Sequence, residues 1–121
     1  MSAEKYLDLS RKHLGQAHEI LGKGDYAKAG EMLWGATAEM VKALALHRGV
    51  ELKSHGDIWE YIAKLSDETG DREILKLFHV ANGLHTNFYE NWMPPRVVEE
   101  DAKFVEALIE KLEKLMNSGK G

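Results

Sequence analysis

The chain contains only two prolines, and they are adjacent at Pro94 and Pro95. Because proline interrupts a helix, everything before Pro94 is free to form long uninterrupted helices. Apolar residues recur with the 3.6-residue period of an amphipathic helix, and no stretch alternates apolar and polar residues as a strand does. The sequence therefore predicts an all-α fold, an antiparallel up-down bundle of four to five helices that forms a single domain over residues 1–121.

Capping residues divide the chain into five helices. Helices are predicted over residues 3–21 and 26–47, from the cap at Ser54 to Gly70, and over 72–91 and 95–116. Asp25, Ser54 and Asp71 are placed to cap the second, third and fourth helices, and Pro95 suits the first turn of the fifth. The last residues, 117–121, are predicted to fray.

The helical period also predicts which side chains are buried. The second helix is apolar on two faces, which places it at the centre of the bundle. For the fourth helix, we expect an inward stripe of Leu75 or Phe78, Ala81, His85, Phe88 and Trp92. Trp34, Trp59 and Trp92 lie off the main stripes or at helix ends, where they complete the core or form an oligomer interface.

Composition excludes several classes of protein. The 121 residues include 16 Lys and Arg, 20 Asp and Glu, and no cysteine. Disulfides and thiol catalysis are therefore excluded, and the net charge of -4 lacks the overall signature of a nucleic-acid-binding protein. We see no signal peptide and no apolar run long enough for a membrane span, so we expect a cytoplasmic protein without membrane contact.

The histidines do not form a metal-binding pattern within one helix. His13 and His18 are five residues apart and His79 and His85 are six apart, spacings that do not chelate a metal. We expect no metal and no cofactor. Arg72 and His79 are seven residues apart on one helix, so they share a face. Such a pair can cleave RNA, with His as acid or base and Arg stabilising phosphorane charge, although this spacing also arises by chance.

The densest group of polar and aromatic residues is the segment from Asn82 to Trp92. Asn82, His85 and Tyr89 share a helix face, and His85 also falls on the apolar stripe. The segment is either a satisfied polar network in a helix seam or a ligand site. The candidate ligand-binding residues are Asn82, His85, Asn87, Tyr89 and Glu90, and the candidate catalytic residues are Arg72, His79 and His85.

The sequence resembles the HEPN superfamily in several short stretches. They are Gly24-Asp25-Tyr26, the alanine-spaced second helix with Lys42-Ala43-Leu44, and Ser54-His55-Gly56-Asp57-Ile58. Within that superfamily, Leu84-His85-Thr86-Asn87-Phe88-Tyr89-Glu90 is similar to the short motif of the archaeal PaREP family. The resemblance implies a helical bundle that is commonly a homodimer.

The resemblance also bears on activity. HEPN proteins include RNA-cleaving toxins, partners of small nucleotidyltransferases, and modules of unknown role. The toxins carry an Arg and a His with four to six residues between them, and many have Asn directly after the Arg, but Val80 and Ala81 occupy those positions before His85. Arg72 and His79 have the looser spacing, although they begin earlier in the helix than the typical motif.

Two principal hypotheses about function follow. The first is a non-catalytic homodimeric module that binds a partner protein, such as a small nucleotidyltransferase, or a nucleotide-like or RNA-like ligand. The alternative is a metal-independent, toxin-like endoribonuclease with a composite site across the dimer. A helix-pair repeat scaffold is disfavoured because no second copy of Gly24–Ala29 occurs about 34 residues away.

Overall fold

The computed structural model describes residues 1–118, which form five helices joined by short turns. They are α1 (Ala3–Gly22), α2 (Tyr26–His47), α3 (His55–Thr69), α4 (Arg72–Glu90) and α5 (Pro95–Ser118). This part of the chain contains no strand, and the predicted all-α bundle is confirmed. α2 packs against each of the other four helices, as its two apolar faces predicted.

The predicted capping residues begin the helices as expected. The side chains of Asp25, Ser54 and Asp71 accept hydrogen bonds from backbone N–H groups in the first turns of α2, α3 and α4. Ser54 and Asp57 form a reciprocal capping box, in which the backbone N–H of each residue donates a hydrogen bond to the side chain of the other. α3 ends at Thr69 and is capped by Gly70, whose φ of 74° is in the left-handed region that glycine adopts without a Cβ clash.

The chain end differs from the prediction that residues 117–121 fray. Asn117 and Ser118 belong to α5, while residues 119–121 lie outside the described residues. Val98, Val105, Leu108 and Leu112 lie one to two turns apart on α5 and are fully buried. They keep the helix against the bundle until shortly before its end.

The buried face of α4 is rotated from the predicted stripe. Its buried residues are Ile74, Leu77, Phe78, Ala81, Leu84 and Asn87. The predicted burial of Phe88 and Trp92 is wrong, because their exposed fractions are 39% and 57%. Trp92 follows the helix, which ends at Glu90 with Asn91 in a left-handed conformation, so the helical period no longer determines where its side chain points.

Candidate functional site

Three rings from three helices come together where α2, α3 and α4 meet. The ring of Trp34 lies 5.1 Å from that of His85 and 5.6 Å from that of His55, centroid to centroid, and the two imidazoles are 5.8 Å apart. All three planes are within 26° of parallel. Trp34 is buried, His85 is partly exposed and His55 is exposed. We call Trp34, His55 and His85 the ring cluster.

Glu31 fixes the orientation of the His85 imidazole. Nδ1 of His85 lies 2.7 Å from Oε1 of Glu31, and about a quarter of each side chain is exposed. Glu31 precedes Trp34 by one helical turn, so one face of α2 supplies both the carboxylate and the ring that contact His85. Because an ionised carboxylate only accepts hydrogen bonds, Nδ1 of His85 carries the proton in this contact.

An aromatic row extends from the ring cluster along α4. The ring of Phe78 lies 5.4 Å from Trp34 and 4.5 Å from Trp59, and Trp59 contacts the ring of His79 at 4.9 Å. Phe78 is fully buried, so this middle part of the row belongs to the core. The row explains what Trp34 and Trp59 do: they join α2 and α3 to α4 through edge and face contacts.

The other end of the row reaches the surface at the end of α4. The ring of Tyr89 stands edge-on to His85 at 5.6 Å and to Phe88 at 5.1 Å. Tyr89 is 71% exposed, and Phe88 and Trp92 nearby in sequence are also exposed. We call Phe88, Tyr89 and Trp92 the exposed aromatic surface. Tyr89 belongs to this surface and also contacts the ring cluster.

Asn87 lies beneath this surface and has a structural role. Its side chain is buried, and Oδ1 accepts hydrogen bonds from the backbone N–H groups of Trp92 and Met93, both at 2.8 Å. These bonds turn the chain after α4 towards Pro94. Asn87 was predicted as a ligand-binding candidate, and these contacts already account for its carbonyl oxygen.

The other candidate residues are distributed along α4. Asn82 is partly exposed and its backbone carbonyl accepts a hydrogen bond from the Thr86 hydroxyl, while Glu90 is exposed at the helix end. His85 and Tyr89 meet at the ring cluster, but His79 contacts Trp59. Arg72 lies in the first turn of α4, about 20 Å along the helix axis from His85. Its guanidinium is 2.6 Å from Asp67.

Sequence reasoning missed Glu31 and His55 as parts of the site. Glu31 is one of two acidic residues in α2, and His55 lies at the first position of α3. Neither carries a local motif for this role. Trp34 gave a usable signal, because a tryptophan outside the predicted stripes needs a partner elsewhere in the fold.

Other features of residues 1–118 lie apart from the ring cluster. His13 and His18 also contact carboxylates, Glu39 and Glu106, but these pairs join α1 to α2 and α5 away from the ring cluster. No group of three or more His, Asp or Glu side chains in the described part is arranged to hold a metal ion. The connection between α2 and α3 lines an open hollow of about 280 Å³, which the ring cluster does not border.

Fold and site together define a helical-bundle protein with an imidazole–aromatic site at its surface. The profile of the archaeal PaREP1/PaREP8 family matches residues 5–109, and the chain belongs to that family. This confirms the relationship that the motif around His85 indicated. No protein with a curated description matches the chain in sequence.

Two solved structures share the fold. A crystal structure of the protein TT1696 from Thermus thermophilus has 23% sequence identity and a TM-score of 0.78, with 93% of this chain and 96% of that one covered. A crystal structure of a protein from Sulfolobus solfataricus has 24% identity and a TM-score of 0.71, covering 94% and 95%. At these identities the similarity is one of fold.

None of the five helices in residues 1–118 has both the length and the apolar composition that crossing a membrane requires.

Proposed function

We propose that this chain is a non-catalytic, HEPN-like helical domain that forms a homodimer and binds a nucleotide-like or RNA-like ligand at the ring cluster. The observation that carries the proposal is the set of contacts around His85. One imidazole is held by Glu31, stacked on Trp34 and bordered by the exposed Tyr89 ring.

The ring cluster supports a ligand with a planar ring. Unstacked nucleobases bind proteins by stacking on aromatic and His side chains, and each stacked base contributes about 1–3 kcal/mol. Tyr89 presents most of its side chain to solvent, and His55, which like Tyr89 contacts the His85 ring, is also exposed. These rings offer faces on which such a base can stack.

Phe88 and Trp92 of the exposed aromatic surface support self-association. They fall within five consecutive residues, and exposed apolar patches with aromatic residues are typical of protein interfaces. Tyr89, whose ring contacts His85, is left for the ligand. Glu90 and Arg96, which are exposed and carry opposite charges, flank Trp92 in sequence.

The surroundings of His85 favour binding over RNA cleavage. Phosphoryl chemistry without a metal needs a cation where charge develops in the transition state. Arg72 is about 20 Å from His85 along α4 and is paired with Asp67, and Val80 occupies the position where the toxins carry Arg.

Calorimetry tests the ligand. Adenosine monophosphate and a short oligoribonucleotide are titrated into the full chain and into Tyr89→Leu. We expect binding that Tyr89→Leu weakens by at least about tenfold, because it removes one stacking ring. Trp59→Phe, at the part of the aromatic row that contacts His79, should bind as the unaltered chain does. Absence of binding by every nucleotide and oligoribonucleotide would contradict a ligand role and leave a partner protein as the candidate for this surface.

Light scattering at micromolar concentration tests the dimer. We expect twice the 13.7-kDa chain mass, and Trp92→Gln should shift the protein to monomer. Val50→Gln replaces another exposed apolar residue at a different place in the fold and should leave the mass unchanged. A monomer mass for the unaltered chain rejects the dimer. RNA cleavage in the presence of a chelator, abolished by His85→Ala, rejects the non-catalytic role in favour of the endoribonuclease.

A further inference from the structure

The turn between α4 and α5 holds the backbone of Trp92 in place while leaving its side chain exposed. Oδ1 of the buried Asn87 accepts hydrogen bonds from the backbone N–H groups of Trp92 and Met93, both at 2.8 Å. Met93 packs against the core, and two prolines restrict the backbone that follows it. Trp92 is nevertheless 57% exposed, so the fold presents an indole ring to solvent from an anchored position.

An anchored and exposed tryptophan is suited to a protein interface. Tryptophan is enriched among the residues that contribute most to binding, and a residue that is fixed before binding loses less conformational entropy. The indole has one N–H donor and no acceptor, and this donor needs a partner once the ring is buried. The surface that receives Trp92 must therefore combine apolar contact with a hydrogen-bond acceptor.

The first two turns of α5 provide such a surface. Arg96, Val97, Glu100 and Asp101 line an open hollow of about 390 Å³, which we call the α5 hollow. Val97 supplies apolar contact, two carboxylates supply acceptors, and a guanidinium stacks well on an aromatic face. Asp101 is only partly exposed and accepts no hydrogen bond from residues 1–118. Its carboxylate therefore has acceptor positions available for a donor from outside the chain.

Trp92 and the α5 hollow lie at the same corner of the bundle. The hollow begins four residues after Trp92, which is not among the residues that line it. Phe104, which is 43% exposed, lies on the same face of α5, three residues after Asp101 and seven after Val97. A projecting ring beside a hollow of matching chemistry makes a surface that is complementary to a second copy of itself under two-fold rotation.

From this arrangement we infer how the two copies contact each other, an inference that rests on the proposed homodimer. Trp92 of each copy occupies the α5 hollow of the other, with its ring against Val97 and its N–H donating to a carboxylate of the hollow. The contact occurs twice in the dimer. A second copy is the occupant because the donor and its acceptors are both present at one corner of one chain. Stacking of the two Trp92 rings on each other would leave both N–H groups without these acceptors.

Substitutions in the α5 hollow test the contact. Val97→Glu places a charge where the ring would lie, and an acidic residue in the first turn of a helix is compatible with folding. We expect the dissociation constant of the dimer, measured by analytical ultracentrifugation, to rise at least about 30-fold, as for the loss of an anchor residue. Val50→Glu is the matched control, because it makes the same change at an exposed valine that does not border this hollow, and it should leave the constant unchanged.

A milder variant covers the case in which Val97→Glu does not fold. Val97→Ser removes apolar contact without adding charge, and it should raise the dissociation constant about tenfold.

Mixing two variants distinguishes insertion from other arrangements. Trp92→Gln retains an intact hollow and Val97→Glu retains an intact indole, so a mixed dimer restores one of the two contacts. Each variant alone should be monomeric at a micromolar concentration at which the mixture forms a heterodimer. Native mass spectrometry identifies the heterodimer because the variants differ in mass. The control is a mixture of Trp92→Gln with the double variant Trp92→Gln/Val97→Glu, which restores no contact and should remain monomeric.

The outcomes separate this inference from the proposed dimer. A monomeric unaltered chain rejects both. A dimer that Trp92→Gln dissociates but Val97→Glu and Val97→Ser do not overturns the inference alone, because the α5 hollow is then not the receiving surface. Variants that are each monomeric and form no heterodimer on mixing also overturn it, since Trp92 then contacts another part of the second copy. A dimer that survives Trp92→Gln likewise overturns it.

Discussion

Gly30 of α2 lies directly against Leu84 of α4. A Cβ atom built on Gly30 would be 3.3 Å from Cδ2 and 3.4 Å from Cβ of Leu84, a separation tighter than ordinary van der Waals contact. The next residues along each helix are Glu31 and His85, which form the hydrogen bond at the ring cluster. The absence of a side chain at Gly30 thus permits the close approach of α2 and α4 beside the Glu31–His85 hydrogen bond.

We predict that Gly30→Ala and Gly35→Ala differ in stability although both lie in α2. Each gains up to about 1 kcal/mol of helix propensity, and at Gly35 the new methyl meets nothing within 4 Å. At Gly30 it presses on the fully buried Leu84, where overpacking costs about 1–3 kcal/mol. Thermal unfolding should therefore show Gly35→Ala above the unaltered protein and Gly30→Ala clearly below Gly35→Ala. Equal melting temperatures for the two variants would show that α4 moves away from the new methyl group without loss of stability.

Asn87→Ala should destabilise the turn after α4. The substitution leaves the backbone N–H groups of Trp92 and Met93 without the Oδ1 acceptor, and losing such partners costs about 1–3 kcal/mol. Hydrogen exchange of these two amides should accelerate and the melting temperature should fall by several degrees. Asn82→Ala, which removes a partly exposed amide from the same helix, is the control and should change neither. Amides of Trp92 and Met93 that stay protected in Asn87→Ala would mean that Asn87 does not hold the turn.

Local signals predicted the helices well. Asp25, Ser54 and Asp71 cap their helices by accepting hydrogen bonds from backbone N–H groups in the first turn. This interaction involves only residues that are close in sequence, so the sequence pattern predicts it. The spacing of apolar residues in α4 predicted its buried face less accurately. Beyond Ala81 the predicted stripe is displaced by one position, since His85 and Phe88 were expected where Leu84 and Asn87 are buried, and it is Leu84 that packs against Gly30 of α2.

The site was only partly predictable. His85 and Tyr89 were found because they belong to one helix and share a face. Glu31, Trp34 and His55 come from two other helices, and their meeting with His85 depends on how closely α2 approaches α4. That approach includes the Gly30–Leu84 contact, which no spacing within a single helix reveals.

Asp71 should make the protein lose stability in acid. The Lys111 ammonium, 2.7 Å away, and the N–H of Glu73 stabilise the carboxylate and lower its pKa below the ordinary value of about 3.9. A carboxyl whose pKa is lowered on folding contributes stability above the pKa of the unfolded chain, and this contribution is lost as the pH falls through the folded value. Asp71→Asn keeps a capping oxygen but removes the charge.

Urea unfolding at several pH values measures this contribution. The unaltered protein should exceed Asp71→Asn in stability at neutral pH, and the difference should shrink as the pH falls below about 3.9. Lys111→Met, which removes the main cause of the lowered pKa, should reduce the same difference. A gap between the unaltered protein and Asp71→Asn that is independent of pH would assign the effect to capping geometry instead of charge.

Asp101 should have the opposite dependence on pH. Burial against the bundle, and secondarily the neighbouring Glu100 carboxylate, raise the pKa of Asp101. A carboxyl whose pKa is raised on folding favours the folded state below the unfolded value of about 3.9 and loses that contribution as the pH rises through the folded value. At neutral pH the folded protein therefore keeps a poorly solvated charge on α5.

Asp101→Asn should be more stable than the unaltered protein at pH 7, and the advantage should disappear at about pH 3, where both side chains are neutral. Glu99→Gln removes an exposed charge two residues away on the same helix and serves as the control, with no comparable gain expected. Urea unfolding at the two pH values measures this difference in stability. If Asp101→Asn is less stable than the unaltered protein at pH 7, the ionised carboxylate stabilises the fold.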